Sequence, residues 1–484
     1  MSRPQDIDPR TVAPPLAAVA SGHDYVLEPD AGVDRTLARS WLGLGLFALV
    51  GSGVFSILLV LSRSPYINQW LPVPSFFRVA LVAHVDLSVL VWFVSVAGLL
   101  WTVAGGRRAS ALGWSALALC GAGTAIMALA PFVGRGEPIM ANYVPVLDGA
   151  MFLAGLSVFA IGSAALVLWS LWAGPRPGLV ADGVAALRFG LSAAAVAAAV
   201  ALLAFAWSLV LVPMDLDSKA YYEILFWGGG HALQFVWTLL MLVAWLWLAS
   251  ATGARVPMSP RLVLAMFGLA LVGVFATPYA YLAHDIASVE HRHLHTWAMR
   301  LGGGLAVLPI GLATVLALVR RPTPLAASAQ PLQAALVASI VLFAVGGVIG
   351  IFISGSNVRI PAHYHGCIVG VTLALMGLVY HLLPALGYAA PKGRLAVAQP
   401  WVYGLGQLMH IVGLVWSGGY GVQRKVAGAE QVLRSNAEIA GMGLMGFGGL
   451  VAIIGGVLFI VVTVRAMRAK ESAGTPVSNE TVVQ

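Results

Sequence analysis

Histidines are the residues of this chain whose type and placement could do chemistry. Eleven occur among 484 residues, and seven of them fall inside or at one end of long apolar runs, five in one half of the membrane and His381 and His410 deeper. Histidine within a membrane span is costly and usually faces a cofactor, a cavity or a partner helix. Imidazole is also the commonest metal ligand in proteins. The candidates for metal ligation are His84, His231, His284, His363 and His365.

Two of these histidines stand close together in the segment PAHYHGC. A helix turns by about 100° per residue, so residues two positions apart are separated by about 200°. The rings of His363 and His365 are therefore expected to leave opposite flanks of their helix. One helix can then serve two separate metal centres.

The elements that must position these residues are membrane helices. Hydrophobic residues make up 60% of the chain and charged residues 10%, a composition that fits lipid as the solvent. A helix needs about 20 residues to cross about 30 Å of hydrocarbon. The sequence predicts an all-α, polytopic membrane bundle of about twelve transmembrane helices. The apolar runs are 40–62, 77–103, 109–133, 144–173, 187–213, 220–250, 261–284, 296–319, 332–355, 362–388, 400–421 and 439–464.

Polar tails at 1–38 and 468–484 flank the membrane domain, which we place at 39–467. Most Lys and Arg residues lie in these tails and in alternate loops. The positive-inside rule therefore predicts that both termini are cytoplasmic, in an inner membrane of the bacterial type. All five histidines then lie in the outer half of the membrane. The net charge of +8 is dispersed, which excludes nucleic acid as a partner.

A resemblance to a known family rests mainly on the run HYHGCIVGVTLALMGLVYHLLPALG. This run resembles the tenth helix of catalytic subunits in the haem-copper oxidase and nitric oxide reductase superfamily, where an H-aromatic-H triplet binds two haems. The segment HVDLSVLVWF resembles the family's single-histidine second helix. The resemblance implies a high-spin haem on His363 and a low-spin haem between His84 and His365. Haem b is the type favoured by likeness to nitric oxide reductases.

Two further segments are similar to those that bind the family's non-haem metal, FWGGGHALQF and VFATPYAYLAHDIAS. The family pattern is one histidine on the sixth helix and an adjacent pair that ends the seventh. Here the pair is His284 and Asp285. The resemblance implies a metal on His231, His284 and Asp285, and a carboxylate ligand favours iron, with copper the alternative. A solvated loop position for Asp285 stays open.

The outer ends of the spans carry other polar residues of interest. Arg424 and Lys425 follow GLVWSGGYGVQ, a stretch that resembles the family's basic pair for haem propionates. The triplet His291, His293 and His295 in VEHRHLHTW is expected in the loop before the eighth helix. It is interpreted as a polar loop near propionates or a proton route, or as a surface metal site if extended. His381 and His410 lie deeper in their helices, have no counterpart in the family and are interpreted as structural hydrogen-bonding residues.

The choice of substrate depends on a tyrosine. Family oxidases take one electron for dioxygen from a tyrosine four residues after the sixth-helix histidine, and position 235 here is Phe. One branch of the family uses a seventh-helix tyrosine, for which Tyr279 and Tyr281 are candidates. Reduction of nitric oxide to nitrous oxide needs no such residue. The sequence favours nitric oxide reductase, with an oxygen reductase as the alternative and a haem-free transporter as a distant one.

The reaction also needs a route for protons and a donor of electrons. Glu223 and Glu290 lie near the outer ends of their spans and suggest that protons enter from that side. The chain has two cysteines, Cys120 and Cys367, and no CxxCH motif, so neither a thiolate metal site nor a covalent haem is expected. Electrons are therefore expected from a separate subunit, a cytochrome c, a cupredoxin or quinol.

Overall fold

The computed structural model describes residues 24–29, 32–61, 76–105, 110–134, 136–321, 323–355, 357–423, 433 and 435–469. Within these ranges the chain forms twelve long helices and one two-stranded sheet. The helices are α1 (Arg35–Leu61), α2 (Phe76–Ala104), α3 (Ser110–Val133), α4 (Ala150–Ala173), α5 (Gly183–Leu211), α6 (Ser218–Ala251), α7 (Pro260–Ala283), α8 (Val289–Val319), α9 (Ala327–Ile351), α10 (Arg359–Leu382), α11 (Arg394–Gly419) and α12 (Asn436–Arg468).

Eleven of the described helices are long and apolar enough to cross a membrane. The other long helix, α11, has 26 residues but is more polar, since it carries Arg394, Gln399, Gln407 and His410. It packs against α9, α10 and α12, so its neighbours supply the burial. The predicted all-α membrane bundle of about twelve helices is confirmed.

Three helices form the centre of the bundle. The most apolar stretch is 83% buried in α2, 83% buried in α6 and 78% buried in α10, whereas no other span exceeds 44%. These helices carry His84, His231, His363 and His365. His231 is buried and the other three are half-buried. Because a polar side chain that faces lipid is costly, the most buried helices are the favourable places for these residues.

Helices α9 and α10 approach closely where glycine meets glycine. A Cβ on Gly346 would collide with the backbone of Gly366, and a Cβ on Gly366 would collide with the backbone of Gly346. Small residues at such crossings let membrane helices pack backbone to backbone. The crossing holds the first turns of α10, which carry two histidines, against α9.

Helix α2 is irregular directly after His84. Residues Asp86–Val91 form a π-helical turn inside the longer helix. Such turns are rare and often mark functional sites. The Asp86 carboxyl group is buried, and neither of its oxygens has a hydrogen-bond partner among the described residues.

The connection between α3 and α4 is a small antiparallel sheet. Strand β1 (Glu137–Ile139) pairs with β2 (Val146–Asp148), and Glu137 lies opposite Asp148. The predicted start of the fourth span at residue 144 is therefore too early, because 146–148 pair as a strand and α4 begins at Ala150. Tyr143, in the loop between the strands, has φ 69°.

Helix α8 begins earlier than the apolar run predicts. The Ser288 hydroxyl caps it and accepts a hydrogen bond from the His291 backbone N–H at 3.1 Å. Helical spacing places His291 and His295 on the buried face and His293 on the exposed face. The expectation that this triplet lies in a loop is wrong, because a serine cap starts the helix before the apolar residues begin.

Candidate functional site

His84 is held by two serines of α1. Its Nδ1 lies 2.9 Å from the Ser52 hydroxyl, 2.9 Å from the Ser56 hydroxyl and 3.1 Å from the Ser52 carbonyl. The two hydroxyls can donate to backbone carbonyls, of His84 at 3.2 Å and of Ser52 at 3.0 Å. Nδ1 is then the donor in this group, and the lone pair for a ligand is on Nε2.

His365 lies against a histidine of another helix. The ring centroids of His365 and His410 are 4.8 Å apart. His410 Nδ1 donates to the Met445 carbonyl at 2.9 Å, which leaves its Nε2 as acceptor. The structural hydrogen bond expected of His410 is present. Its packing on His365 joins three helices, and no spacing within one helix could indicate it.

His363 turns toward α9, while His365 turns toward α11. His363 Nδ1 donates to the Gly346 carbonyl at 2.7 Å. A Cβ on Gly350 would lie 2.7 Å from the same nitrogen, so glycine leaves room for the ring. The Nε2 lone pair of His363 again points away from the backbone partner. The separation of the two rings agrees with their two-residue spacing.

His231 is buried and lies among aromatic rings of α6, α8 and the β1–β2 loop. Its Nδ1 donates to the Trp227 carbonyl at 2.8 Å, and its Nε2 accepts from the Tyr143 hydroxyl at 2.9 Å. Its ring centroid is 5.7 Å from that of His295, which is 4.6 Å from that of His291. Three histidines from two helices therefore form one buried group.

His284 and Asp285, the other two predicted metal ligands, do not contact His231. His284 caps the end of α7 and is half-buried, and Asp285 is exposed. The Asp285 carboxylate accepts from the Ala287 N–H at 2.9 Å, within the turn that leads into α8. Among the described residues, no hydrogen bond or ring contact joins either residue to His231. No three His, Cys, Asp or Glu side chains of the described ranges already surround one point in ligand geometry.

Two phenols reach the histidine group, and glycines of α6 make room for them. A Cβ on Gly230 would collide with the Tyr143 ring, and a Cβ on Gly228 would collide with Tyr281. The Tyr281 hydroxyl lies 2.6 Å from that of Ser208, and its ring centroid is 4.8 Å from that of His291. The GGG motif therefore accommodates tyrosines. The glycines in the sequence indicate close packing here, but they do not indicate which side chains pack against them.

The remaining predicted site residues, Tyr279, Glu290 and Glu223, lie outside the histidine group. Tyr279 is 59% exposed, and Glu290 is exposed in the first turn of α8. Glu223 accepts hydrogen bonds from the backbone N–H of Asn142, at 3.0 Å, and from its side-chain amide. Burial raises the pKa of Tyr143, and the Glu223 carboxylate raises it further. Glu223 thus anchors the loop that presents a neutral phenol to the histidines.

The predicted propionate pair, Arg424 and Lys425, lies outside the described residues.

Buried and half-buried histidines on the three central helices, with Nε2 lone pairs directed away from backbone partners, are typical of a metal-binding or haem-binding membrane protein. Residues 36–458 match the family model for Cytochrome C and Quinol oxidase polypeptide I. The chain belongs to this family, the haem-copper oxidase catalytic subunits. It is therefore a multi-pass membrane oxidoreductase of electron transport.

Individual relatives cover most of the chain. It is 28% identical to an uncharacterized protein of Rickettsia prowazekii (strain Madrid E), over 90% of this chain and 96% of that one. It is 24% identical to cytochrome c oxidase subunit 1 of Thermus thermophilus, over 82% of this chain and 78% of the relative. A haem-copper terminal oxidase dimer solved by cryo-EM has the same fold, with a TM-score of 0.66 and 16% identity over 91% of this chain and 85% of that one.

The residues present fit the groups that this family binds, which are haems and a non-haem metal. His84 and His363 each direct an Nε2 lone pair away from a fixed Nδ1, as ligands to iron require. Buried nitrogens of His291 and His295 have no hydrogen-bond partner among the described residues. Both observations indicate imidazole nitrogens whose lone pairs have no partner among the described residues and are available to a metal.

Proposed function

We propose that the chain is the catalytic subunit of a membrane-bound terminal reductase that reduces nitric oxide to nitrous oxide. The observation that carries this proposal is Phe235, one helical turn after His231. Its ring is 2% exposed and packs against Gly273 and Gly302 at the crossing of α7 and α8. No phenol stands at the position where the family's oxidases place their electron-donating tyrosine. Two molecules of nitric oxide need only two electrons and two protons to form nitrous oxide and water.

The two haems have separate histidine ligands in this proposal. His84 and His365 hold a low-spin haem, and His363 holds a high-spin haem, both of the b type, with Arg424 and Lys425 at the propionates. Bis-imidazole ligation saturates an iron and leaves electron transfer as its task. The serines of α1 and the Gly346 carbonyl orient the ligands, because hydrogen bonds to Nδ1 fix the tautomer and the ring direction.

A non-haem metal completes the site beside His231. The family pattern assigns its other ligands to His284 and Asp285, a set that favours iron, with copper as the alternative. Asp285 would have to leave the turn in which it accepts from Ala287. A metal ion next to a haem iron supplies Lewis-acid stabilisation of negative charge on the bound substrate.

Protons enter from the outer side in this proposal. Glu223 is hydrogen-bonded to Asn142, the next residue is Tyr143, and the Tyr143 hydroxyl donates to His231. This series leads from a half-buried carboxylate to a phenol that lies beside His231, at the place proposed for the metal. Glu290, exposed at the start of α8, is the second candidate for proton entry.

Oxygen reduction is the second candidate function, and one observation favours it. Tyr281 of α7 points its ring at His291, with centroids 4.8 Å apart at an interplanar angle of 86°. Reduction of dioxygen to water takes four electrons, and a phenol beside this group of histidines could supply one. Tyr281 is three residues before His284, within the region where one branch of the family has its tyrosine.

The proposal also includes the location of the protein and its electron donor. The chain lies in an inner membrane of the bacterial type with both termini in the cytoplasm, and lipid covers its outer faces. Its electrons come from a separate subunit, a cytochrome c, a cupredoxin or quinol.

Turnover of nitric oxide and of dioxygen, measured on one preparation with the same reduced donor, tests the proposal. The expected result is one nitrous oxide for every two nitric oxide molecules, with slower consumption of dioxygen. Faster consumption of dioxygen than of nitric oxide would assign the chain to the second candidate. A reduced-minus-oxidised spectrum with the bands of two b haems checks the cofactors, and a colourless protein would favour a transporter instead.

A further inference from the structure

We propose that the non-haem metal is bound by His231, His291 and His295. This set replaces the seventh-helix pair that the family pattern assigns, His284 and Asp285. The proposal rests on the proposed function only because that function requires a non-haem metal.

The first argument is the spacing of the two α8 histidines. His291 and His295 are four residues apart in a helix, so their side chains emerge from the same face. The Ser288 cap fixes the start of this helix. Their ring centroids are 4.6 Å apart, and that of His231 on α6 lies 5.7 Å from that of His295.

The second argument concerns buried nitrogen atoms. Both ring nitrogens of His291 and the Nε2 of His295 are buried without a hydrogen-bond partner among the described residues. Each residue is 1% exposed. Buried polar atoms that make no bond cost free energy, so an orphaned set usually indicates a missing water, ion or ligand. A metal ion would accept the lone pairs of all three rings at once.

The third argument is the tautomer that the backbone imposes. His231 Nδ1 donates to the Trp227 carbonyl at 2.8 Å, and His295 Nδ1 donates to the His291 carbonyl at 2.8 Å. Both rings therefore present the Nε2 lone pair. A hydrogen bond from the other ring nitrogen to a backbone carbonyl is the usual support of a metal-ligating histidine.

Assembly of this site requires one change of partner at His231. His231 Nε2 now accepts from Tyr143, so it must exchange the phenol for the metal. Asp285, in contrast, is exposed and is held by the backbone of its own turn. Three neutral imidazoles suit copper, zinc or iron, so this site does not favour iron as a carboxylate would.

Metal counting on the purified, haem-loaded protein tests the proposal. Iron, copper and zinc are measured by mass spectrometry, haem is measured as its pyridine complex, and the metal in excess of haem iron is the non-haem metal. We expect one non-haem metal for every two haems in the unmodified chain. His291→Ala and His295→Ala should each lose it while both haems remain. His293→Ala, on the exposed face of the same helix, and Asp285→Asn should keep it.

The opposite pattern would overturn the proposal. It is wrong if His291→Ala and His295→Ala keep the metal, or if Asp285→Asn loses it. Should an alanine variant also lose its haems, His291→Gln and His295→Gln are counted instead. X-ray absorption of the unmodified protein then decides between three imidazoles and a set containing a carboxylate. Gas turnover plays no part in this count, so failure to reduce nitric oxide would leave the metal result standing.

Discussion

The Tyr143 hydroxyl lies 2.9 Å from Nε2 of His231, on the side of the ring that a metal would occupy. Two features hold the phenol there. Asn142, the preceding residue, is anchored to Glu223, and Gly230 lacks the Cβ that would strike the tyrosine ring. The backbone of Tyr143 has φ 69°, a conformation that is uncommon for residues other than glycine. Strained backbone of this kind tends to occur at functional sites.

Tyr143→Phe should lower turnover of the gas substrate by about 10²-fold, the lower end for loss of a positioned proton donor. The ring and its packing stay, and only the hydroxyl beside the metal-binding nitrogen of His231 is lost. The measurement is turnover per haem at saturating donor. Tyr420→Phe, which removes the hydroxyl of an exposed tyrosine at the end of α11, is the matched control. Equal rates in the two variants would show that the Tyr143 hydroxyl takes no part in turnover.

Gly230→Ala should destabilise the protein by about 1–3 kcal/mol, as overpacking of a buried site does. The new methyl group meets the Tyr143 ring, so the β1–β2 loop must move. Thermal unfolding followed through the haem absorbance measures the change. Gly268→Ala on α7, where nothing lies within 4 Å of the added Cβ, should be neutral or slightly stabilising. A Gly230→Ala variant as stable as Gly268→Ala would contradict the packing described for Tyr143.

Loss of both serines that face His84 should loosen the low-spin haem. Ser52→Ala or Ser56→Ala alone leaves one hydroxyl at 2.9 Å from Nδ1, and the Ser52 carbonyl remains in both. The double variant should bind haem about 10-fold more weakly, at the low end for partners that orient a metal ligand.

The low-spin signal in electron paramagnetic resonance and the haem content per chain measure this effect. Ser40→Ala, which removes an exposed hydroxyl bonded within α1, is the control. A double variant with an unchanged signal would show that the serines do not orient His84.

Tyr25 gives the protein a dependence on alkaline pH. Its buried hydroxyl donates to the Met258 carbonyl at 2.7 Å, which ties the N-terminal segment to the start of α7, and burial raises the pKa of this phenol. The folded state therefore favours the neutral form. Its contribution is complete below the unfolded pKa of about 10 and is lost as pH rises toward the folded pKa.

Thermal stability should fall above about pH 10, and Tyr25→Phe should reduce that fall. The variant should also be about 1 kcal/mol less stable at neutral pH, since it lacks the hydrogen bond. Tyr420→Phe, at an exposed tyrosine that ends α11, is the control. An equal alkaline slope in the parent and in Tyr25→Phe would exclude Tyr25 as the cause.

Much of the fold follows from the sequence alone. Apolar runs longer than about 20 residues can only be membrane helices, because lipid offers no partner for backbone polar groups. The family follows from the H-aromatic-H triplet at His363 and His365, and the match over residues 36–458 confirms it. The divergence of these two rings is local helix geometry, so spacing was sufficient to predict it.

The contacts between helices were decided by the tertiary structure. Glycines at 228–230 indicate close packing but cannot say that Tyr143 and Tyr281 fill the space. His410 reaches His365 only because α11 packs on α10. Periodicity describes which face of a helix is apolar and carries no information on which helix that face meets.

The prediction from sequence and the tertiary structure differ most in the histidines around His231. By sequence, His284 and Asp285 stand where the family pattern has its pair, and His291 to His295 belong to a loop. A serine cap extends α8 backwards through the loop and buries His291 and His295 next to His231. Capping is a local signal that hydropathy does not register, and burial beside α6 depends on residues about 60 positions away along the chain. The sequence therefore determined that imidazoles gather in this membrane bundle, and only the packed helices decided which of them meet.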